Sequence, residues 1–205
     1  MNPLIHKLIS EGYLKTDSII DAFDKVNRAD FLPPELETQA EADTPLPIGF
    51  GQTISQPLTV AFMLEKIEPK KGEKILDIGA GSGWQSALLA HIVGKKGKVF
   101  AIERIPELVS FARKNLSKYS FKNIELIRSD GAKGYPEKAP FDKIIVAAAA
   151  KKIPKALKEQ LKIGGKLLIP FSDNTLRLLT KEDKNKFKEE IFYSFVFVPL
   201  IEDNE

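Results

Sequence analysis

The chain contains no cysteine. That excludes disulfides, thiolate nucleophiles and cysteine-ligated zinc. Histidine is nearly absent too. His6 and His91 are the only two, and neither falls at the end of an apolar, strand-like run. A Ser-His-Asp hydrolase and a histidine-ligated centre both lack their parts, and no metal is expected. His91 falls late in a helical stretch, where the helix C-terminus accounts for it. Long apolar runs are also missing. None approaches the ~20 residues that a bilayer span needs, and the N-terminus lacks the apolar core of a signal peptide. The expectation is a cytoplasmic chain without a membrane partner. Charge of one sign is scarce: Lys+Arg 31 against Asp+Glu 28 leaves a formal +3. The lysine clusters at 95–98 and 181–188 carry no repeated interleaving of aromatics, with Phe187 the single aromatic in either. They read as solvated faces rather than a nucleic-acid footprint, so no nucleic-acid partner is expected.

What is present organises into one domain, residues 1–205, long enough to bury a substantial core and expected to be monomeric. Residues 1–70 read as a helical cap plus a loop. Ile19, Ile20, Phe23 and Val26 have helical spacing behind Thr16 or Asp17 as cap, and Val60, Met63, Leu64 and Ile67 mark a second helix. Residues 71–205 alternate strand and helix. Strands are predicted near 74–78, 98–102, 123–127, 142–147 and 166–170, and helices near 84–93, 106–117 and 154–161. Gly164-Gly165 reads as the last helix's C-cap. Leu176–Thr180 and Ile191–Pro199 read as a short terminal hairpin. The fold class is α/β: a Rossmann-like, doubly wound, mostly parallel sheet with an N-terminal helical cap and a C-terminal antiparallel hairpin.

The most telling stretch is Ile75-Leu76-Asp77-Ile78-Gly79-Ala80-Gly81-Ser82-Gly83. A buried-strand pattern ends in an acid and opens into glycines at alternate positions. Gly79, Gly81 and Gly83 let the backbone turn tightly and let a ligand approach. A dinucleotide fingerprint would place a glycine where Trp84 stands, and the P-loop Lys-Ser/Thr ending is missing. Two further apolar runs also end in acids, Glu103 and Asp130. A carboxylate about 20 residues beyond a glycine turn commonly accepts from ribose hydroxyls. Asp130 could accept from an adenine amino group, with Gly131 letting the base lie close. Each acid alone could be a solvated loop residue or a helix cap. The three in register, acids rather than lysines, suit a nucleoside ligand carrying a sulfonium and an ammonium group. S-adenosylmethionine is the expected cofactor.

The chain lacks the Asn/Asp-Pro-Pro-Tyr/Phe signature of enzymes that methylate base amines, and Ala147–Ala150 stands in its place. An acceptor carboxylate would need no general base, since its reference pKa is about 4. It would need placement. Ala147 and its neighbours could leave that space, or could only serve helix–sheet packing. The loop Pro45-Leu46-Pro47-Ile48-Gly49-Phe50-Gly51-Gln52-Thr53-Ile54-Ser55-Gln56-Pro57 also reads in two ways. Ser55 or Gln56 could cap the helix that begins at Pro57, which is the reading local physics favours, or the polar residues could face an acceptor.

That loop closely resembles the signature loop of protein-L-isoaspartate O-methyltransferases. The resemblance continues through Leu76–Gly83, Ile102-Glu103-Arg104, Ser129-Asp130-Gly131, Pro140-Phe141-Asp142, Leu161–Gly165 and Val196-Phe197-Val198-Pro199-Leu200. It implies methyl transfer from S-adenosylmethionine to the α-carboxylate of isoaspartyl residues in damaged proteins and peptides. The ester then closes to a succinimide that reopens partly to aspartate. It implies a catalytic position for Ser55. Cofactor positions fall on Asp77, Gly79, Gly81, Gly83, Glu103, Arg104, Asp130, Gly131 and Ala147. Substrate positions fall on Gln52, Thr53, Ile54, Val198 and Leu200. Three places depart from the family pattern: Trp84 after the glycines, Ala150-Lys151 where an alanine-proline pair is common, and Phe171-Ser172 where the family usually continues Val-Gly. These rim the expected acceptor side. The alternatives are a methyltransferase of this fold with another acceptor, such as RNA or a specific peptide, and a cofactor-binding homologue without turnover. A pocket blocked by Trp84 or Phe171 would favour the last.

Overall fold

The computed structural model describes residues 2–201. Among these residues nine strands and six α-helices follow in chain order. The cap holds α1 (Pro3–Ser10), α2 (Asp17–Lys25), the hairpin β1 (Leu46–Gly49) and β2 (Gln52–Ile54), and α3 (Pro57–Ile67). The core continues with β3 (Lys74–Ile78), α4 (Trp84–Val93), β4 (Lys98–Glu103), α5 (Pro106–Leu116), β5 (Ile124–Arg128), β6 (Phe141–Val146) and α6 (Lys155–Glu159). It closes with β7 (Leu161–Pro170), β8 (Thr175–Asp183) and β9 (Lys186–Tyr193). No helix among the described residues is long and apolar enough to cross a membrane.

The main sheet has seven strands in the order β5-β4-β3-β6-β7-β8-β9. The strands from β5 through β7 pair in parallel, and β8 runs antiparallel to both of its neighbours. The chain leaves β3 toward β4 and β5 and then returns to β6 on the other side of β3. Such a reversal opens a crevice beyond the strand carboxyl ends. Successive residues of each central strand enter opposite cores. Ile75, Val99, Ile145 and Leu168 join the cluster beneath the cap. Leu76, Phe100, Ile144 and Leu167 join the cluster on the other face. Burial on both faces is why these strands read as unbroken apolar runs.

α4 is buried almost all round, as expected of a helix sandwiched between two layers. Trp84 meets the Phe23 ring edge-on at 5.6 Å between centroids. At the other end, His91 Nε2 lies 2.6 Å from an Asp21 carboxylate oxygen. His91 thus ties α4 to α2, a partner that the helix-end reading did not include. The cap also holds a helix not anticipated in the sequence, α1, with Asn2 accepting from the Ile5 amide at 3.0 Å.

The C-terminal part departs from expectation in three places. Gly164-Gly165 lies inside β7, where the pairing with β6 shifts register between Phe141 and Lys143. It forms a bulge, and α6 ends earlier, with Gln160 as its C-cap. The last strand is Lys186–Tyr193, not Ile191–Pro199. A charged edge strand keeps the open ladder in water, while residues 194–201 leave the sheet and return to its carboxyl edge. There Leu200 N–H donates to the Ala149 carbonyl at 2.8 Å and Ala149 N–H to Val198 at 2.7 Å. Finally, Lys181 is buried, and its ammonium donates to the carbonyls of Lys158 at 2.8 Å and Leu161 at 2.7 Å. It closes the end of α6 instead of joining a solvated face.

Candidate active site

A cleft of about 110 Å³ opens at the carboxyl edge, beyond the ends of β3, β4, β5 and β6. Its floor is the turn from Gly79 to Gln85, the ends of β4 and β5, and Ala147-Ala148 after β6. Its other wall is β2 with Ser55, and the returning segment 198–201. Among the described residues, Glu103 and Arg104 are the only charged ones in the lining.

Glu103 is held by its surroundings. One carboxylate oxygen accepts from the Gly81 amide at 2.9 Å, and the other from the Ile105 amide at 2.9 Å. The acid thereby fixes the glycine turn, and each oxygen keeps a lone pair for a ligand hydroxyl. Asp77 stands deeper. It accepts from the Gln85 amide at 2.7 Å and the Ser86 hydroxyl at 2.5 Å. Complete burial pushes its pKa up to about 6; the two hydrogen bonds pull against that rise, and the charge of Glu103 adds to it.

The structure gathers most of the residues singled out in the sequence. Ser55 and the positions Gln52, Thr53, Ile54, Val198 and Leu200 all line the cleft. So do Gly79, Gly81, Glu103, Arg104, Gly131 and Ala147. Asp77, Gly83 and Asp130 do not; they stand behind it. Gly83 is the left-handed N-cap of α4, with φ +91°, and a Cβ there would lie 3.2 Å from Leu116. Its requirement is conformation and packing. Asp130 accepts from the Ala132 amide at 2.9 Å, capping a short 3₁₀ turn, with Lys133 Nζ 3.8 Å away. At Gly131 a Cβ would fall 2.3 Å from Ile78 Cγ2, so only glycine brings this backbone against the end of β3.

The two readings of Ser55 separate here. The amide of Leu58 in the first turn of α3 is capped by Asp43, fifteen residues earlier, at 2.9 Å. No side chain of Gln56 caps that helix. Ser55 is therefore not the cap that local physics favours, and it stands in the cleft wall. The alanines divide as well: Ala147 and Ala148 leave space, whereas Ala149 and Ala150 bridge to Pro199 and Phe171. Trp84 borders the cleft but is almost fully buried. It is turned back into the cap, its indole N–H 3.5 Å from the Val26 carbonyl. Phe171 lies outside the lining.

One residue with a part in the site had no sequence signal. Arg28 is buried, and its guanidinium donates to the carbonyls of Ala40, Ala42, Thr44 and Ser55 at 2.8–3.2 Å. Its carbon stands 5.5 Å from the centroid of the Trp84 ring, within cation–π range. Burial lowers its pKa to about 10, and the charge of Asp43 opposes that fall, so it stays charged at neutral pH. A lone arginine in a helical cap looks like a surface residue until the chain is folded around it.

A doubly wound sheet, a glycine turn fixed by the acid of the next strand, and a cleft at the reversal point define a Rossmann-like methyltransferase. Comparison with known proteins narrows the class. The family model described as protein-L-isoaspartate(D-aspartate) O-methyltransferase (PCMT) matches residues 1–205. The protein-L-isoaspartate O-methyltransferase of Ignicoccus hospitalis is 46% identical over 204 residues, covering 98% of this chain and 96% of its own. That of Methanopyrus kandleri is 43% identical, covering 97% and 89%. A crystal structure of a putative enzyme of this name from Plasmodium falciparum, in complex with S-adenosyl-L-homocysteine, superposes with a TM-score of 0.87 at 26% identity, over 97% of this chain and 96% of that one. This chain belongs to the protein-L-isoaspartate O-methyltransferase family.

Proposed function

We propose that this protein transfers a methyl group from S-adenosylmethionine to the α-carboxylate of L-isoaspartyl residues in damaged proteins and peptides. The observation that carries the reading is Ser55 in the lining of the same cleft as the Glu103-fixed glycine turn. The residues fit the cofactor. Among the described residues the lining offers one buried acid, backbone amides and small side chains, and one cation, Arg104. A phosphate ligand would call for the opposite balance. When bound, S-adenosylmethionine supplies an electrophilic methyl group on a sulfonium.

The chain's own residues do the rest. Glu103 accepts from the ribose hydroxyls. Gly79, Gly81 and Ala147 leave room for the amino-acid portion, and Gly131 for the base. Asp77 acts from beneath, by holding Gln85 and Ser86 and so the shape of the turn. Asp130 acts by capping the 3₁₀ turn that presents Gly131. Ser55 donates to the acceptor carboxylate and points it at the methyl group, while Gln52, Thr53, Ile54, Val198 and Leu200 hold the flanking backbone. Among the described residues no histidine lines the cleft, and an ionised acceptor carboxylate needs no general base. The chain works as one domain and as a monomer, in the cytoplasm, on polypeptides and not on nucleic acid or membranes. Methyl transfer to an isoaspartyl peptide, set against its aspartyl twin, tests the reading.

A further inference from the structure

We propose that a second groove on the same sheet edge docks an acidic segment of the substrate polypeptide beside the residue being methylated. This rests on the functional reading above and adds a selection among substrates. The groove is lined by Lys151, Lys152, Lys158, Phe171, Ser172 and Arg177, with Ile153 and Asp173 completing it.

Its position comes first. Ala147 and Ala148 line the methyl-transfer cleft, and Lys151 and Lys152 follow directly along the same chain. From Ala148 to Lys151 is three residues, at most about 10 Å of extended chain. A substrate strand leaving the cleft along this edge reaches the groove within a similar number of residues. The floor is fixed by backbone bonds: Ala150 N–H to the Pro170 carbonyl at 2.9 Å, and Ser172 N–H to Ala150 at 3.1 Å.

Its charge comes second. Asp173 is already engaged, accepting from Thr175 and pairing with Arg177 at 3.0 Å. Arg177 also reaches Glu189 at 3.5 Å and lies over the Phe171 ring, 3.9 Å from its centroid. Within the lining Arg177 and Asp173 neutralise each other, and Glu189 adds a negative charge from the neighbouring strand. The net positive charge of the lining is carried by the three lysines, of which Lys151 and Lys152 are exposed. They fit carboxylates of a polypeptide. A nucleic-acid strand would want a free aromatic face for stacking, and the Phe171 ring is 8% exposed and covered by Arg177. The groove also unites Lys151, Phe171 and Ser172, which are separated in sequence and are among the places where this chain departs from the family pattern.

The test compares isoaspartyl peptides of one sequence whose residues three and four places away, on either side, are glutamate, glutamine or lysine. For the intact protein, kcat/KM for the better glutamate peptide is expected to exceed that of the glutamine peptide about tenfold, or 1.4 kcal/mol, and to converge with it at high salt. The double variant K151Q/K152Q should lose that preference while turning over the glutamine peptide as before. Equal kcat/KM for glutamate and glutamine peptides overturns the proposal, as does a preference that survives in the double variant. Tighter binding of a single-stranded oligonucleotide, lost in the double variant, overturns it in favour of a nucleic-acid surface. Failure to methylate the glutamine peptide at all refutes the functional reading instead. Fluorescence-polarisation binding of the glutamate peptide, lost or kept in the double variant, then still decides the groove.

Discussion

The Arg28 guanidinium donates to the backbone carbonyl of Ser55 at 3.2 Å, across 27 residues of sequence. The same group holds Ala40, Ala42 and Thr44, so one buried cation gathers the chain that precedes β1 and the residue that follows β2. The backbone of Ser55, a residue of the cleft lining, is therefore held from behind, by the cap. The planar fork of arginine suits this task. Lysine is a point charge on a flexible stem and could satisfy only part of it.

Arg28→Met should leave buried carbonyls without donors, at about 1–3 kcal/mol for each that water does not reach. Denaturant melts should show that loss. Among molecules still folded, kcat/KM for an isoaspartyl peptide should fall at least tenfold, with S-adenosylhomocysteine affinity changed little. Arg28→Lys should recover only part of both. A stable Arg28→Met protein with full activity would show that the clamp does not position Ser55.

Ser55 and Asp43 should separate cleanly. Asp43→Ala removes the side chain that caps α3 and should cost about 0.5–2 kcal/mol of stability. Ser55→Ala and Ser55→Gly should change stability little, yet lower kcat/KM by one to several powers of ten, each about 1.4 kcal/mol of barrier. Chemical melts and initial rates on the three variants check this. Full activity in Ser55→Gly would leave the hydroxyl without a catalytic part.

The contrast between Asp43 and Ser55 marks where sequence reading stops. The cores of β3, β4 and β6 were legible because burial on both faces leaves unbroken apolar runs, and α4 and α5 because glycine or proline marks their ends. β9 was not, because an exposed edge strand is built from charged residues such as Lys188 and Glu190 and carries no apolar alternation. Gly164-Gly165 resembles a helix cap locally and becomes a bulge through its pairing with β6. The glycine turn and Glu103 were legible from spacing alone. The cap at Asp43 and the clamp at Arg28 join residues far apart in sequence, which no local pattern records.

Cofactor binding should appear as stabilisation. At a hundredfold excess over Kd, a ligand of the native state adds about 2.7 kcal/mol, or roughly 5–10 °C in Tm for a chain of this size. S-adenosylmethionine and S-adenosylhomocysteine should both do this, and Glu103→Ala should weaken it. Stabilisation by NAD in their place would contradict the site.

Asp77 should make stability fall with rising pH over a defined window. Its folded pKa is raised from 3.8 to about 6. The folded state therefore holds the proton more tightly, so the stabilisation is complete below about pH 4 and is lost as pH rises through about 6. Asp77→Asn should remove that part of the pH dependence of ΔG measured by urea denaturation. An unchanged slope between pH 4 and 6 would mean that burial does not hold this proton.

The most direct measurement gives the protein one peptide in two forms, isoaspartyl and aspartyl, with methyl-tritiated S-adenosylmethionine. The tritium should enter the isoaspartyl peptide as a base-labile ester that releases methanol. Its rate should be flat from roughly pH 6 to 8, since the acceptor is ionised throughout, and the aspartyl peptide should stay unlabelled. Equal labelling of both peptides, labelling of neither, or a base-stable product would contradict methylation of the isoaspartyl carboxylate.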